Sequence, residues 1–557
     1  MSDRAWRLSL LTITAIGAFL RLGWPGSAPP GLNQDEAIGA WISWCLLGTG
    51  RDMNGQPWPV FYSRGIGDYP STLFFYVTMP FQAIGGLNVT TTRLPAGLAG
   101  IACVPLIAWI GARLLGRGAG LTAAAMLALN PWHLFLSRFG VGASQCPLHA
   151  LAVVALMIKA GLLLEDSTIE KPRAGRIVAK REPDARWAAL AGIVAGVSCY
   201  GFHAMRLYFP VLFLGLALFL LPQWLRLWST ARGRAALIAL MAGFAIPIAP
   251  LAILHLNDSP IAHRWEMTRL WPAGAPLTTI VAMVLKRWAE HFHPDFLFVR
   301  GDLFESMRLW QGAFGWHMLP LMLAGIALVA TRFRQSPAAR VMLALLVAYP
   351  AGDVISRYAS VHTLRAAPGV GALVLLAAWG AGAIGGWVAR HRRALVPYAA
   401  ATLVLAGLFF DGRFILRFFG EWNRRPEIYH TYHVDLLDVA RWLKPRLARA
   451  DAVFCTVKGL NQPWSVLAVG TEHSSALWLA EPRDVRPAEY DVVVRYGKMH
   501  FLYADFWVPY LNQITGNGKP DHVFFIVRPG ELRLTDPIHT VRGPDGREVL
   551  WVVARTL

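Results

Sequence analysis

Long apolar runs separated by short basic loops dominate the pattern of this chain. The first run, Leu8 to Leu22, follows Arg4 and Arg7. Others lie near residues 94–112, 119–136, 147–164, 187–202, 207–225, 235–255, 315–331, 340–351, 366–389 and 394–411. Most are about long enough to cross a bilayer as a helix, while a short run such as 340–351 can instead be re-entrant or tilted, which leaves the count open by about one or two. The loops alternate in charge. Arg113 and Arg117, the segment Glu165 to Arg186, and the arginine groups 226–234, 332–340 and 390–393 fall on the side of Arg4, while the intervening loops are weakly basic. Cationic loops stay in the cytoplasm, so the pattern predicts about eleven spans, an internal N-terminus, and everything after Asp411 outside.

Three segments then share the outer face: 23–93, 256–314 and 412–557. Within the first, Ile38, Trp41, Ile42, Cys45 and Leu46 recur at helical spacing, and Thr72 to Gly85 is a second short apolar helix. Both are expected to lie in the membrane interface, with Trp41, Trp44 and Tyr76 as aromatic anchors; a true span at 72–85 is the competing reading. The tail changes character. Ala452 to Val457, Val492 to Tyr496, His522 to Val527 and Glu548 to Ala554 read as strands, Leu436 to Leu447 as an amphipathic helix, and Gly543-Pro544-Asp545-Gly546 as a turn. The expected fold class is a polytopic α-helical membrane protein with about eleven transmembrane helices and a C-terminal extracytoplasmic α/β domain. The expected domains are 1–411, carrying the outer loop 23–93 with its interfacial helices, and 412–557.

Composition agrees. Of 557 residues, 55% are hydrophobic and 16% charged, against a charged share of roughly 25% in soluble domains, and the mean hydropathy is +0.41. A net charge of +19 would point to nucleic acid in a soluble protein, but here the excess sits in the short loops that set topology, and no nucleic-acid partner is expected. The first run lacks a small-residue cleavage site, so it is expected to remain as a span rather than leave as a signal peptide. Five cysteines, none in CxxC spacing, indicate packing rather than a zinc site or a disulfide framework.

Candidate chemistry gathers on the outer rim. Asp35 and Glu36 form an acid pair just beyond the first span, with Asp68 further along the same loop; Arg64, Arg138, Arg206, His362 and Arg365 supply the positive side. Arginine forks suit a phosphate leaving group, and a carboxylate can take the proton of an attacking hydroxyl. Each residue also has a structural reading. Asp35 can cap the following helix, Arg138 and Arg206 can anchor at the membrane edge, and His362 can be a satisfied loop histidine. His291, His293 and His317 are too irregularly spaced to argue a metal site. No cofactor is indicated, and the need for a divalent metal stays open.

The strings PPGLNQDEA, GDYPSTLFFY, RLPAGLAG, NPWHLFLSRFG, HPDFLFVRGD and VHTLRAAPG, in that order after an N-terminal span, resemble bacterial membrane glycosyltransferases of the GT-C superfamily. The likeness is to the branch related to protein O-mannosyltransferases and the lipid A aminoarabinose transferase, and it runs from about Leu20 to Gly371. The resemblance implies a sugar donor on polyprenyl phosphate, an acceptor outside the inner membrane, and inversion at the anomeric carbon. It assigns the acceptor's acid to Asp35 with Glu36 beside it, and it places Arg138, Arg206, His362 and Arg365 in loops that hold the donor phosphate; Arg64, Asp68 and Tyr69 on the first outer loop complete the expected substrate contacts. Two departures stand out. Relatives often carry a lysine after the GD dipeptide, where this chain reads Tyr69-Pro70-Ser71-Thr72-Leu73, and the aminoarabinose branch has a further acid where this chain reads Gly142-Ala143-Ser144-Gln145. Carrying over lipid A as acceptor is therefore unjustified. The rival readings are a transporter or flippase of polyprenyl-linked substrates, disfavoured because the charges cluster outside the spans, and an inactive homologue that binds the lipid carrier.

Overall fold

A computed structural model of the chain describes residues 1–65, 69–163, 182–257, 265–266, 268–357, 361–486, 492–504, 507, 522–531 and 536–555. Contacts divide it into two compact units. The first comprises Met1–Gly23, Ala96–Arg138 and Gly142–Leu416; the second comprises Trp24–Pro95, Phe139–Val141 and Arg417–Leu557.

The first unit is helical, and every apolar run read from the sequence falls on a helix. Helix α1 (Asp3–Leu22) starts where Ser2 accepts the Ala5 N–H at 3.2 Å. Among the described residues, six helices are long and apolar enough to cross a membrane, or seven if the bent pair Met205–Phe219 and Leu221–Trp228 counts as one span. The chain is a multi-pass membrane protein. The 84° bend in that pair falls where Pro222 enters the second helix, because proline lacks the N–H that would continue the ladder. Shorter apolar helices include Arg117–Leu129, Ala185–Ser198, Met318–Arg332 and Pro337–Ala348. Small residues let neighbours approach closely: a Cβ on Gly243 would meet the Ala189 carbonyl, and one on Gly192 the Leu240 carbonyl. Backbone proximity of this kind is the usual way to pack helices where lipid removes the hydrophobic drive.

The second unit is built on a seven-stranded sheet: β1 (Ala452–Cys455), β2 (Arg483–Arg486), β3 (Val492–Tyr496), β4 (Met499–Phe501), β5 (Val523–Val527), β6 (His539–Arg542) and β7 (Glu548–Arg555), in the order β2-β3-β4-β1-β5-β7-β6. Strand β1 pairs in parallel with β4 and β5, and the remaining pairings are antiparallel. All four residues of β1 are buried, as expected of a central strand covered on both faces. Val453 and Cys455 join one core, with Trp464, Trp478 and Leu436, while Ala452 and Phe454 join the other, with Trp507 and Phe525. The four strands and the helix read from the sequence are present, the helix as Val434–Leu443; β2, β4 and β6 are additions.

Residues 24–95 cluster with this sheet unit. Their two helices, α2 (Gln34–Thr49) and α3 (Leu73–Gly85), are where the periodicity placed them. Trp41, expected as an interfacial anchor, is instead wholly buried, edge-on to Trp478 at 5.2 Å. The α2 face that looked ready for lipid is covered by protein, with Trp41, Ile42, Cys45 and Leu46 in one core with Leu436 and Trp464. The five cysteines are buried and free.

Candidate active site

In the second unit, the segment before α2 folds as a capped turn. Asn33 is the N-cap and accepts the Asp35 N–H at 3.0 Å, while Glu36 reaches back to accept the Asn33 N–H at 3.2 Å. This is a capping box, which satisfies helix donors that would otherwise be orphaned. Asn33, then, and not Asp35, supplies the cap. Asp35 is exposed in the first turn, where the helix dipole favours its charge.

Glu36 is inaccessible to solvent and paired with Arg93, which is 2% exposed. Its carboxylate receives four hydrogen bonds: from Arg93 Nε and Nη2, both at 2.7 Å, from the Gly140 N–H at 2.7 Å, and from Asn33. Arg93 also donates to the carbonyls of Pro25, Pro29 and Gly31. A Cβ on Gly140 would stand 2.8 Å from the Thr92 carbonyl, so this close approach needs glycine. Three of the six motif strings therefore meet on one carboxylate, and the product is a rigid turn carrying Asp35. Breaking a buried, hydrogen-bonded pair of this kind costs about 3–5 kcal/mol.

The loop after α2 is pinned by Asp52, which accepts the N–H groups of Asn54 and Gln56 and the Ser63 hydroxyl. Arg64 is exposed on it, its carbonyl bonded by Asn54 Nδ2. Tyr69 is half-buried and meets Tyr62 edge-on at 5.3 Å. Asp68 lies outside the described residues.

In the first unit, Arg138 is buried and donates through Nη1 to the carbonyls of Leu20, Arg21 and Gly23 at 2.8, 3.1 and 2.9 Å. It closes the C-terminal end of α1. Arg206 is half-buried, with Nε on the Cys199 carbonyl at 3.2 Å. Arg21, which sequence reading passed over as part of a span, is buried, and its guanidinium bonds Ser137 Oγ, three carbonyls and His133 Nδ1.

His362 and Arg365 are both buried at the start of the span Thr363–His391. Two acids hold their turn. Asp302 Oδ2 accepts the Thr363 N–H and Oγ1–H at 2.7 Å each; Asp353 Oδ2 accepts the His362 N–H and lies 3.2 Å from both Arg287 Nη2 and His291 Nε2. The Trp132 indole N–H bonds the Thr363 carbonyl at 3.2 Å. Burial raises the Asp353 carboxyl, but the His291 hydrogen bond and charge, with Arg287, outweigh it and leave it below the usual carboxylate value. Burial pushes the Asp302 carboxyl above that value, against the pull of His362 and its own hydrogen bonds. Asp302, Asp353 and Arg287 were not singled out by sequence, and His291 was weighed only as a metal ligand. Asp302 ends one of the quoted motif strings, which was the available signal. Among the described residues, no group of three or more His, Cys, Asp and Glu side chains could hold a metal ion.

No protein-family model matches the chain, and no curated protein matches its sequence. Solved structures do match. ArnT from Cupriavidus metallidurans bound to undecaprenyl phosphate aligns at 15% identity over 99% of this chain and 98% of its own, with a TM-score of 0.52. The same enzyme in the apo state aligns at 14% identity over 100% and 98%, also at 0.52. The apo oligosaccharyltransferase of Archaeoglobus fulgidus aligns at 13% identity over 84% of this chain and 64% of its own, at 0.49. At this identity the likeness speaks to fold alone: over the 99% of the chain that aligns, it shares its fold with ArnT.

Proposed function

We propose that this protein is a glycosyltransferase that moves one sugar from a polyprenyl-phosphate carrier to an acceptor outside the cytoplasmic membrane, inverting the anomeric carbon. The observation that carries the reading is Asp35: an exposed carboxylate on a turn whose neighbouring groups are locked by a buried ion pair and a capping box, in a chain with the fold of an enzyme solved with undecaprenyl phosphate. Asp35 takes the proton of the acceptor hydroxyl. Glu36, with all four bonds spent on backbone and Arg93, holds the turn in place. Arg365 and His362 steady the departing phosphate, and Arg64, Asp68 and Tyr69 contact substrate. Arg138 and Arg206 add positive field rather than direct contacts, given the carbonyls they already serve. In this reading about eleven spans place the N-terminus in the cytoplasm and the sheet unit outside, as the basic loops demand.

One feature favours a second reading. Pro70 stands where relatives often carry a phosphate-binding lysine, as in a homologue that binds the carrier without turning it over. Deleting the gene and comparing envelope glycans and glycoproteins by mass spectrometry separates the two. The expected result is one missing sugar, restored by the parent protein and not by Asp35→Asn. An unchanged glycan inventory, with undecaprenyl phosphate still bound by the purified protein, would replace the enzyme by the carrier-binding homologue.

A further inference from the structure

The His362 ring stands between two partners that want opposite protonation states. Its Nδ1 accepts the Leu364 N–H at 3.3 Å, which requires a lone pair there and places the proton of the neutral ring on Nε2. The same Nδ1 lies 3.7 Å from Asp302 Oδ2, a carboxylate that would favour a proton between them. The Phe304 ring stacks on the imidazole at 5.3 Å, and the charged groups acting on it are Asp302, Asp353, Arg365 and Arg287. Asp302 is tied to Phe304 and Thr363 through three hydrogen bonds and cannot move away. Burial holds the imidazole below its usual pKa, with the two acids pulling up and the two arginines down.

We propose that His362 is a proton-linked phosphate ligand, neutral in the free protein and protonated when a dianionic lipid phosphate binds, with Asp302 as the positioning carboxylate that receives the new Nδ1–H. This rests on the polyprenyl-phosphate reading above and deepens it. When the bond from the sugar's anomeric carbon to phosphate oxygen breaks, the electron pair stays on that oxygen, and the carrier passes from a singly charged diester to a monoester that can carry two charges. A proton taken from solvent by His362 compensates the added charge. The monoester product and the diester donor are thus held with different protonation of one side chain.

The test is the affinity of the purified full-length protein for undecaprenyl phosphate from pH 6.5 to 9. One linked proton makes affinity fall with rising pH, by up to about tenfold per unit between the free and bound pKa values. The parent should show this descending limb, and His362→Gln should bind more weakly with no such limb, a change that a purely structural role would not produce. Asp302→Asn keeps the imidazole but removes the partner of its proton, so its descending limb should end at lower pH. An equal slope in His362→Gln and the parent overturns the proton link, and an unmoved limb in Asp302→Asn overturns the positioning role. Failure of the parent to bind undecaprenyl phosphate at any pH instead overturns the polyprenyl-phosphate reading itself.

Discussion

In the turn Asn33 to Glu36, a buried carboxylate has a guanidinium and two backbone N–H groups to itself, and the acid beside it, Asp35, is exposed. In the turn His362 to Arg365, two buried carboxylates hold the backbone while the candidate functional groups are themselves buried among them. The first arrangement separates scaffold from reagent. The second merges them. A carboxylate that must meet a water-borne acceptor gains from exposure on a rigid support, whereas groups that must compensate a phosphate charge act more strongly where water is excluded.

The sharpest way to break this comparison is Arg93→Met, which strips Glu36 of its guanidinium and leaves a charge buried. The detergent-solubilised protein should lose about 3–5 kcal/mol of stability in thermal unfolding followed by tryptophan fluorescence, and a second change, Glu36→Gln, should recover part of it. A loss below about 1 kcal/mol would mean that the pair is no scaffold at all.

Asp35→Asn tests the reagent half. Because Asn33 caps α2 and asparagine keeps the shape of the Asp35 side chain, stability should be nearly unchanged while turnover of a polyprenyl-phosphate sugar falls by about 10²-fold or more. Parental turnover would move the catalytic role to another carboxylate, Asp68 first.

Arg365→Ala should weaken undecaprenyl phosphate binding by about 1.5–3 kcal/mol in a direct titration, with Arg365→Lys restoring only part, since an ammonium lacks the planar fork. Arg138→Ala should affect binding less and stability more, because its guanidinium closes the end of α1. Equal binding losses in the two variants would erase the distinction between ligand and scaffold. The smallest effect belongs to Asn33→Ala, which removes the cap acceptor and should cost about 1 kcal/mol in the same unfolding measurement while leaving Asp35 chemistry in place.

Much of the local structure was legible. Apolar runs located the helices of the first unit, helical spacing located α2, and short apolar runs bounded by turn signals located β1, β3, β5 and β7 within a residue or two. The short strands β2, β4 and β6, of three or four residues, were not, because so few positions carry no period. Of the candidate site, Asp35 and Glu36 were visible as a pair, but their division of labour was not. It depends on Arg93 and Gly140, 57 and 104 residues away from Glu36. Likewise Asp302 reaches Thr363 across 61 residues, and nothing in a local window links the two.

By itself the sequence determined what depends on neighbours along the chain: which segments are apolar enough for a bilayer, which loops are cationic, where an acid pair follows the first span, and where strands begin. The tertiary structure decided what depends on partners far apart in sequence. It covered Trp41 with protein rather than lipid, set the parallel pairing of β1 with β4 and β5, buried Glu36 against Arg93, and placed His362 between Leu364 and Asp302. The physical reason is the same in each case. Burial is a property of the folded surroundings, and a charged or aromatic side chain acquires its role only when those surroundings supply or withhold a partner.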